Sequence, residues 1–466
     1  MNGPILGVVW PSVKAAHKKP FAGGAGSREG QAAERNLSAC YAYYVPGSSP
    51  TQPPGTNKEI PHNGKMILDP VEVLAELVAI PSVNPLGRPV AGPAYYETRL
   101  TEYLAQTFQR LGLAVARQPV AAGQDNLFAR LDGDRPPADG GGVILLDAHQ
   151  DTVPVEGMTI PPFVPEVRGG RLYGRGACDV KGGMAAMLAA VSRLAQQRPK
   201  GLPTIIVSCT VNEEYGFTGA AALGQLWSGP SAVPVPIFPR RPDMAVVAEP
   251  TGLDVVIAHK GVIRWRCHAR GRAVHSSQPH SGENAIYKMA RALGAIERYN
   301  VEVLGRAPAH PLCGGPTLSV GTISGGVSVN IVPERCSIEI DLRVPPGEQP
   351  ENARRELLDY LARTEPVGAA LEHEPPFMQA PALKDQNNAQ VAERLASAVR
   401  AVTGECRQSG VPYATNAAFF SAAGVPAVVF GPGLLEQAHT QDEWIPLEQL
   451  RQAGEVLYQF CRNAAD

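Results

Sequence analysis

Gly142-Val143-Ile144-Leu145-Leu146-Asp147-Ala148-His149-Gln150-Asp151-Thr152-Val153-Pro154 passes from a strand-length apolar run directly into a histidine and an acid. Thr204–Val211 and Met244–Ala248 repeat the apolar part of the pattern. Continuous apolar runs of this length fit strands covered on both faces, as in a parallel sheet. Helical periodicity surrounds them. Leu100, Tyr103, Leu104, Phe108 and Leu111 share one face of Tyr95–Leu111, while Met184, Met187, Leu188 and Val191 share one face of Gly183–Leu194. With a further strand at Asn126–Leu131, the alternation predicts an α/β fold with a mostly parallel central sheet.

The middle of the chain follows a different rule. In Val262–Arg270, Ile263, Trp265, Cys267 and Ala269 alternate with Arg264, Arg266, His268 and Arg270. Ser337–Val344 alternates in the same way, as expected of a sheet with one wet face. Helices near Asn284–Tyr299 and Glu351–Ala362 would cover the other face. The α/β pattern returns with an apolar strand at Ala427–Phe430. The expected organisation is a catalytic domain in two parts, 66–259 and 369–466, interrupted by an inserted α+β domain at 260–368. Residues 1–65, rich in Gly, Ser and Pro, read as a disordered leader or an over-extended start ahead of Met66.

Composition excludes several classes. Lys and Arg total 42 against 44 Asp and Glu, which removes the basic excess that a nucleic-acid binder needs. No apolar run approaches the roughly 18 residues that span a bilayer, so a soluble protein without a membrane partner is expected. The 8 cysteines include no C-x-x-C pair and most lie in apolar stretches, which suits reduced thiols and a cytoplasmic location.

The chemistry gathers beyond the strand ends, where an open α/β sheet presents ligands. His149 and Asp151 follow one strand. Asn212-Glu213-Glu214 follows the second, Glu249-Pro250-Thr251 the third, and Gly431-Pro432-Gly433 with Gln437-Ala438-His439 the last. Gly174-Arg175-Gly176-Ala177-Cys178-Asp179-Val180-Lys181-Gly182-Gly183 leads into a helix. Each fragment alone is weak, since a histidine after a strand is commonly a hydrogen-bonded loop residue. Their repeated placement is the signal, and imidazole with carboxylate is a donor set suited to Zn²⁺.

In this combination and order the motifs resemble those of the co-catalytic zinc aminoacylase and carboxypeptidase family, over about residues 67–466. The resemblance implies a zinc-exopeptidase-like catalytic domain and a ferredoxin-like dimerisation or lid insert. It implies two Zn²⁺, with Co²⁺ or Mn²⁺ as substitutes. His149 and Glu249 would hold one ion, Glu214 and His439 the other, and Asp179 would bridge them. Glu213 would be the general base and Asp151 the carboxylate behind His149. His275, from Gly271-Arg272-Ala273-Val274-His275-Ser276, would stabilise the oxyanion of the partner subunit in a homodimer. Asn330 and Arg343 would bind the substrate carboxylate.

The reaction so implied is hydrolysis of the amide of an N-acyl-L-amino acid. Ala258-His259-Lys260-Gly261 and the stretch from Gly431 to Glu443 look more like the family's acetylornithine deacetylases than its succinyl-diaminopimelate desuccinylases. N-acetylornithine, and with it arginine biosynthesis, is therefore expected. The alternatives are desuccinylation, a family metallopeptidase or a broad aminoacylase. Thr415-Asn416-Ala417 departs from the acid common in relatives, which weakens the case for ornithine if that acid meets a cationic side chain. A non-catalytic relative acting as a binding protein should have lost one of His149, Asp179, Glu213, Glu214, Glu249 or His439. All are present.

Overall fold

The computed structural model describes residues 67–228, 236–364 and 371–462, so the expectation for residues 1–65 lies outside the described residues. The first helix, α1 (Pro70–Val78), starts at a proline that has no N–H to satisfy, and the Asp69 carboxylate accepts from Val71 and Glu72 at 2.8 and 3.2 Å. After α2 (Thr98–Arg110) come β1 (Ala114–Ala121), β2 (Gln124–Leu131) and β3 (Val143–His149). A small hairpin, β4 (Glu166–Arg168) and β5 (Arg171–Tyr173), leads to α3 (Lys181–Gln197), β6 (Thr204–Thr210) and α4 (Thr218–Gln225). Strands β7 (Met244–Val247), β8 (Val255–His259) and β9 (Gly261–Arg270) follow, then α5 (Ala285–Glu302), β10 (Thr317–Gly325), β11 (Arg335–Val344) and α6 (Pro350–Arg363). The return contains β12 (Leu371–His373), β13 (Met378–Ala380), α7 (Ala389–Thr403), β14 (Gln408–Val411), α8 (Ala417–Ala422), β15 (Ala427–Val429), β16 (Trp444–Pro446) and α9 (Leu447–Arg462).

The large sheet has the order β1-β2-β6-β3-β7-β15-β8-β14. Its centre, β6-β3-β7-β15, is parallel throughout, with antiparallel pairings at β1-β2, β2-β6 and β15-β8. Both faces are covered. Ile144, Leu146, Ile205, Val207 and Val246 pack with α1, α2, α3, α7 and α9 on one side. Val143, Leu145, Ile206, Ala245 and Val247 pack with α4 and α8 on the other. This is the α/β fold with a largely parallel sheet that the apolar runs predict.

The second sheet, β10-β11-β9-β12 with β13 also on β9, is antiparallel. Trp265, Ile263, Ile338, Ile340 and Leu342 point under α5 and α6 into a separate core. The polar face pairs Arg264 with Asp341 and Arg266 with Glu339 across the strands. This sheet runs past residue 368, because β12 and β13 return to β9. Strands of three residues carry no period to read. A third small sheet, β16-β5-β4, ties the segment before Asp179 to the chain beyond His439. Among the described residues no helix is long and apolar enough to cross a membrane.

Candidate metal centre

Four neighbouring parallel strands open onto one site. β3 ends in His149, β6 runs on to Glu213 and Glu214, β7 to Glu249, and the loop after β15 brings in His439. Asp179 enters from the loop before α3, through a cis Asp179–Val180 peptide.

The Asp179 carboxylate stands between the two imidazoles. Its Oδ1 is 3.1 Å from His149 Nε2, and its Oδ2 is 3.2 Å from His439 Nε2. Glu214 Oε2 lies 3.3 Å from the same His439 nitrogen, and Glu249 Oε1 lies 4.0 Å from His149 Nε2. One donor atom each from His149, Glu213 and Glu249, or from His149, Asp179 and Glu214, falls within 4.8 Å of the others. Glu213 therefore also stands within reach of a cation.

Electrostatics show what the cluster lacks. Burial, then neighbouring carboxylates such as Glu214 and Asp179, push Glu213 well above the usual carboxylate range despite the nearby His149. Glu249 is raised in the same way, by burial and then by Asp179 and Glu213. Burial alone would lower the two histidines, but Asp151 and Asp179 raise His149, and Asp179 with Glu214 carries His439 to about 11. Glu214 Oε1 and Glu249 Oε1 are buried and accept no hydrogen bond. Crowded carboxylates with unsatisfied oxygens need positive charge, and divalent cations among imidazole and carboxylate donors supply it. The residues present fit a metal centre.

A layer of bonds behind the cluster fixes it. His149 Nδ1 donates to the backbone carbonyl of Asp151 at 2.9 Å, while the Asp151 carboxylate is 3.6 Å away. A carbonyl only accepts, so Nδ1 carries a proton and Nε2 is the nitrogen turned toward the acids, the one left to ligate a cation once its own proton is displaced. The Asp151 carboxylate accepts from the amides of Glu213 and Glu214, both at 3.0 Å, and from Asn84 Nδ2 at 2.8 Å. It orients the glutamate pair as much as the histidine.

Sequence reasoning assigned no role to Glu443. This buried side chain accepts from Arg175 at 2.7 Å and from the amides of Gly176, Cys178 and Asp179 at 2.9–3.0 Å. Lys181 Nζ, also buried, donates to the carbonyls of Leu77 and Ile80, anchoring the same loop to α1. Nothing in the local pattern marks an acid that binds backbone from 264 residues away. The Cys178 thiol donates to the Leu434 carbonyl and is packed.

A cavity of about 300 Å³ joins Asp179, Glu213, Glu214, Glu249 and His439 to Arg343 and Arg264 of the second sheet. The Arg343 guanidinium forks onto Asp341 at 2.6 and 3.1 Å. His275 and Asn330 are brought together elsewhere, with the Ser276 amide donating to the Asn330 carbonyl at 2.9 Å. Both side chains are exposed and neither lines the cavity. Asn416 does not line it either. It is buried beneath, donating to Asp147 at 3.0 Å and Thr210 at 2.9 Å.

Residues 145–463 match the family described as Peptidase family M20/M25/M40. The chain is 30% identical to an acetylornithine deacetylase of Proteus mirabilis (strain HI4320) over 405 residues, 84% of this chain and 96% of that protein. Among solved structures, an M20 family metallo-carboxypeptidase of Sulfolobus solfataricus aligns with a TM-score of 0.68 at 18% identity, covering 84% of this chain and 98% of its own. Human carnosine dipeptidase 1 aligns with a TM-score of 0.66 at 19% identity, covering 85% and 96%.

Proposed function

The chain belongs to peptidase family M20/M25/M40, a metal-dependent hydrolase acting on amides, and on that premise we propose that it deacylates N-acyl-L-amino acids. N-acetyl-L-ornithine is the leading substrate, two Zn²⁺ are the resident ions, and the acting form is a homodimer. The observation that carries this reading is Asp179, whose two oxygens face two different histidines at 3.1 and 3.2 Å. That arrangement suits a carboxylate shared by two cations. In the proposal His149 and Glu249 hold one ion, Glu214 and His439 the other.

When bound, paired cations polarise the scissile carbonyl and make water acidic. The chain supplies the remaining work. Glu213 takes the proton from water and passes it to the departing amine, a role served by its buried position beside Glu214. The Asp151 carboxylate accepts from the Glu213 backbone amide and so fixes the backbone from which the base projects. Arg343 receives the substrate carboxylate.

His275 completes the site from the partner subunit, donating to the developing oxyanion. Support comes from the surface around it. Val327 and Val329 are 87% and 98% exposed, Ile323 is 57% exposed, and β10 is an edge strand. Exposed apolar side chains beside an open edge are what a second copy would cover. Asn416 is no obstacle to ornithine, because its amide is spent on Asp147 and Thr210 rather than in the cavity.

A side-by-side hydrolysis assay on zinc-loaded protein tests the reading, with N-acetyl-L-ornithine, N-acetyl-L-methionine and N-succinyl-diaminopimelate. The highest kcat/KM on acetylornithine is expected. Preference for acetylmethionine or the succinyl compound would move the assignment to a broad aminoacylase or a desuccinylase.

A further inference from the structure

Asp341 is one carboxylate serving two guanidiniums. Arg343 grips it through Nε and Nη2, and Arg264 reaches it through Nε alone at 2.6 Å. Among the described residues, Nη1 and Nη2 of Arg264 have no hydrogen-bond partner. Arg266, one pleat along, is by contrast matched by Glu339 at 2.9 Å and Glu374 at 3.7 Å. The Arg264–Asp341–Arg343 group therefore carries one positive charge more than it has acids to meet.

Burial, helped by the charge of Arg343, holds Lys260 below its ordinary value. Asp341 itself is kept low because Arg343 and Arg264 outweigh its burial. Both arginines line the cavity that contains Glu213 and Glu249, and Arg264 also lines an adjoining chamber of about 420 Å³. A partly buried cavity wall with one unmatched guanidinium charge and free Nη donors is a site for a single carboxylate.

We propose that Arg264 is a specificity-determining residue that anchors the substrate carboxylate together with Arg343. In the absence of substrate, Asp341 occupies both arginines; the incoming carboxylate takes the free Nη donors while Asp341 keeps the two side chains aligned. The proposal rests on the reading that the substrate is an N-acyl amino acid with a free carboxylate.

The test compares N-acetyl-L-ornithine with its primary carboxamide, on wild type, Arg264→Met and Arg264→Lys. Kinetics give the acid-over-amide ratio of kcat/KM, and calorimetry in a Glu213→Gln background gives affinity without turnover. Arg264→Met is expected to cut that ratio roughly ten- to a hundredfold, mostly through KM, with Arg264→Lys recovering part of it. An unchanged ratio in Arg264→Met would overturn the proposal. If wild type hydrolyses neither compound, the acetylornithine reading fails on its own. Calorimetry then decides this one: tighter acid than amide binding that Arg264→Met abolishes supports it, and equal binding of the two refutes it.

Discussion

The Glu443 carboxylate accepts the backbone N–H of Asp179 at 3.0 Å and also pairs with Arg175 at 2.7 Å. The acid placed between the two histidines is thus held by a side chain 264 residues further along the chain. Glu443→Gln keeps the shape but turns an amide NH₂ toward backbone donors and leaves Arg175 as a buried charge without its acid. We expect a loss of about 3–5 kcal/mol in urea unfolding. Metal affinity, read by competition with a chelator, should fall about 10–100-fold.

A site shared between subunits makes a prediction that no single-chain site can meet. Glu213→Gln and His275→Ala should each lower kcat by about 10²–10⁴ while leaving the protein folded. Dissociating and reassembling an equal mixture of the two should restore about a quarter of the wild-type activity, because mixed dimers contain one intact composite site. No recovery, with mixed dimers present by native mass spectrometry, would place His275 outside the reaction.

Glu97 is fully buried and accepts from the Asn212 amide at 3.0 Å, just ahead of the glutamate pair. Burial, then Asp151, raises its pKa from 4.5 to about 8. A raised acid contributes stability that is complete below 4.5 and is lost as pH climbs to about 8. Relative to Glu97→Gln, wild type should lose at most about 1.4 kcal/mol per pH unit across that window. Thermal unfolding of the pair across the window measures it, and a constant difference would show that folding does not raise the Glu97 pKa.

Asn416 donates to Asp147, whose carboxyl is itself raised to about 6, mainly by burial. Asn416→Asp would set two buried acids against each other. Destabilisation of at least roughly 1–3 kcal/mol at neutral pH is expected, relieved as the pH falls. The ratio of rates on acetylornithine and acetylmethionine should stay unchanged. A shift in that ratio would mean that this position does read the substrate side chain.

Much of this was legible in the chain. The apolar runs at 142–147, 204–211 and 244–248 specify strands because burial on both faces leaves no polar position, and the acids after them mark the open ends. The clean alternation in Val262–Arg270 likewise identifies a half-wet sheet. Strand β1 escaped although its hairpin partner β2 was read, because β1 is half-buried along its length and shows neither a continuous apolar run nor a clean alternation. The three-residue strands β12 and β13 escaped because their pairing is set by the distant β9 rather than by local period. Glu443, Lys181 and Arg264 escaped for a related reason. Their roles come from what the fold brings to them, including backbone amides, carbonyls and an acid shared across strands. The carbonyl of Asp151, rather than its carboxylate, is the nearer partner of His149, a distinction that the H-x-D spacing alone does not draw.

The central claim is that Asp179 is shared by two cations, and metal content tests it most directly. Wild type reconstituted with Zn²⁺ and desalted should hold two equivalents per chain by mass spectrometry of the metal. Asp179→Ala should hold well under one, because both sites lose a donor, while Glu249→Ala should keep about one. One equivalent in wild type, or two retained by Asp179→Ala, would contradict the shared-carboxylate account.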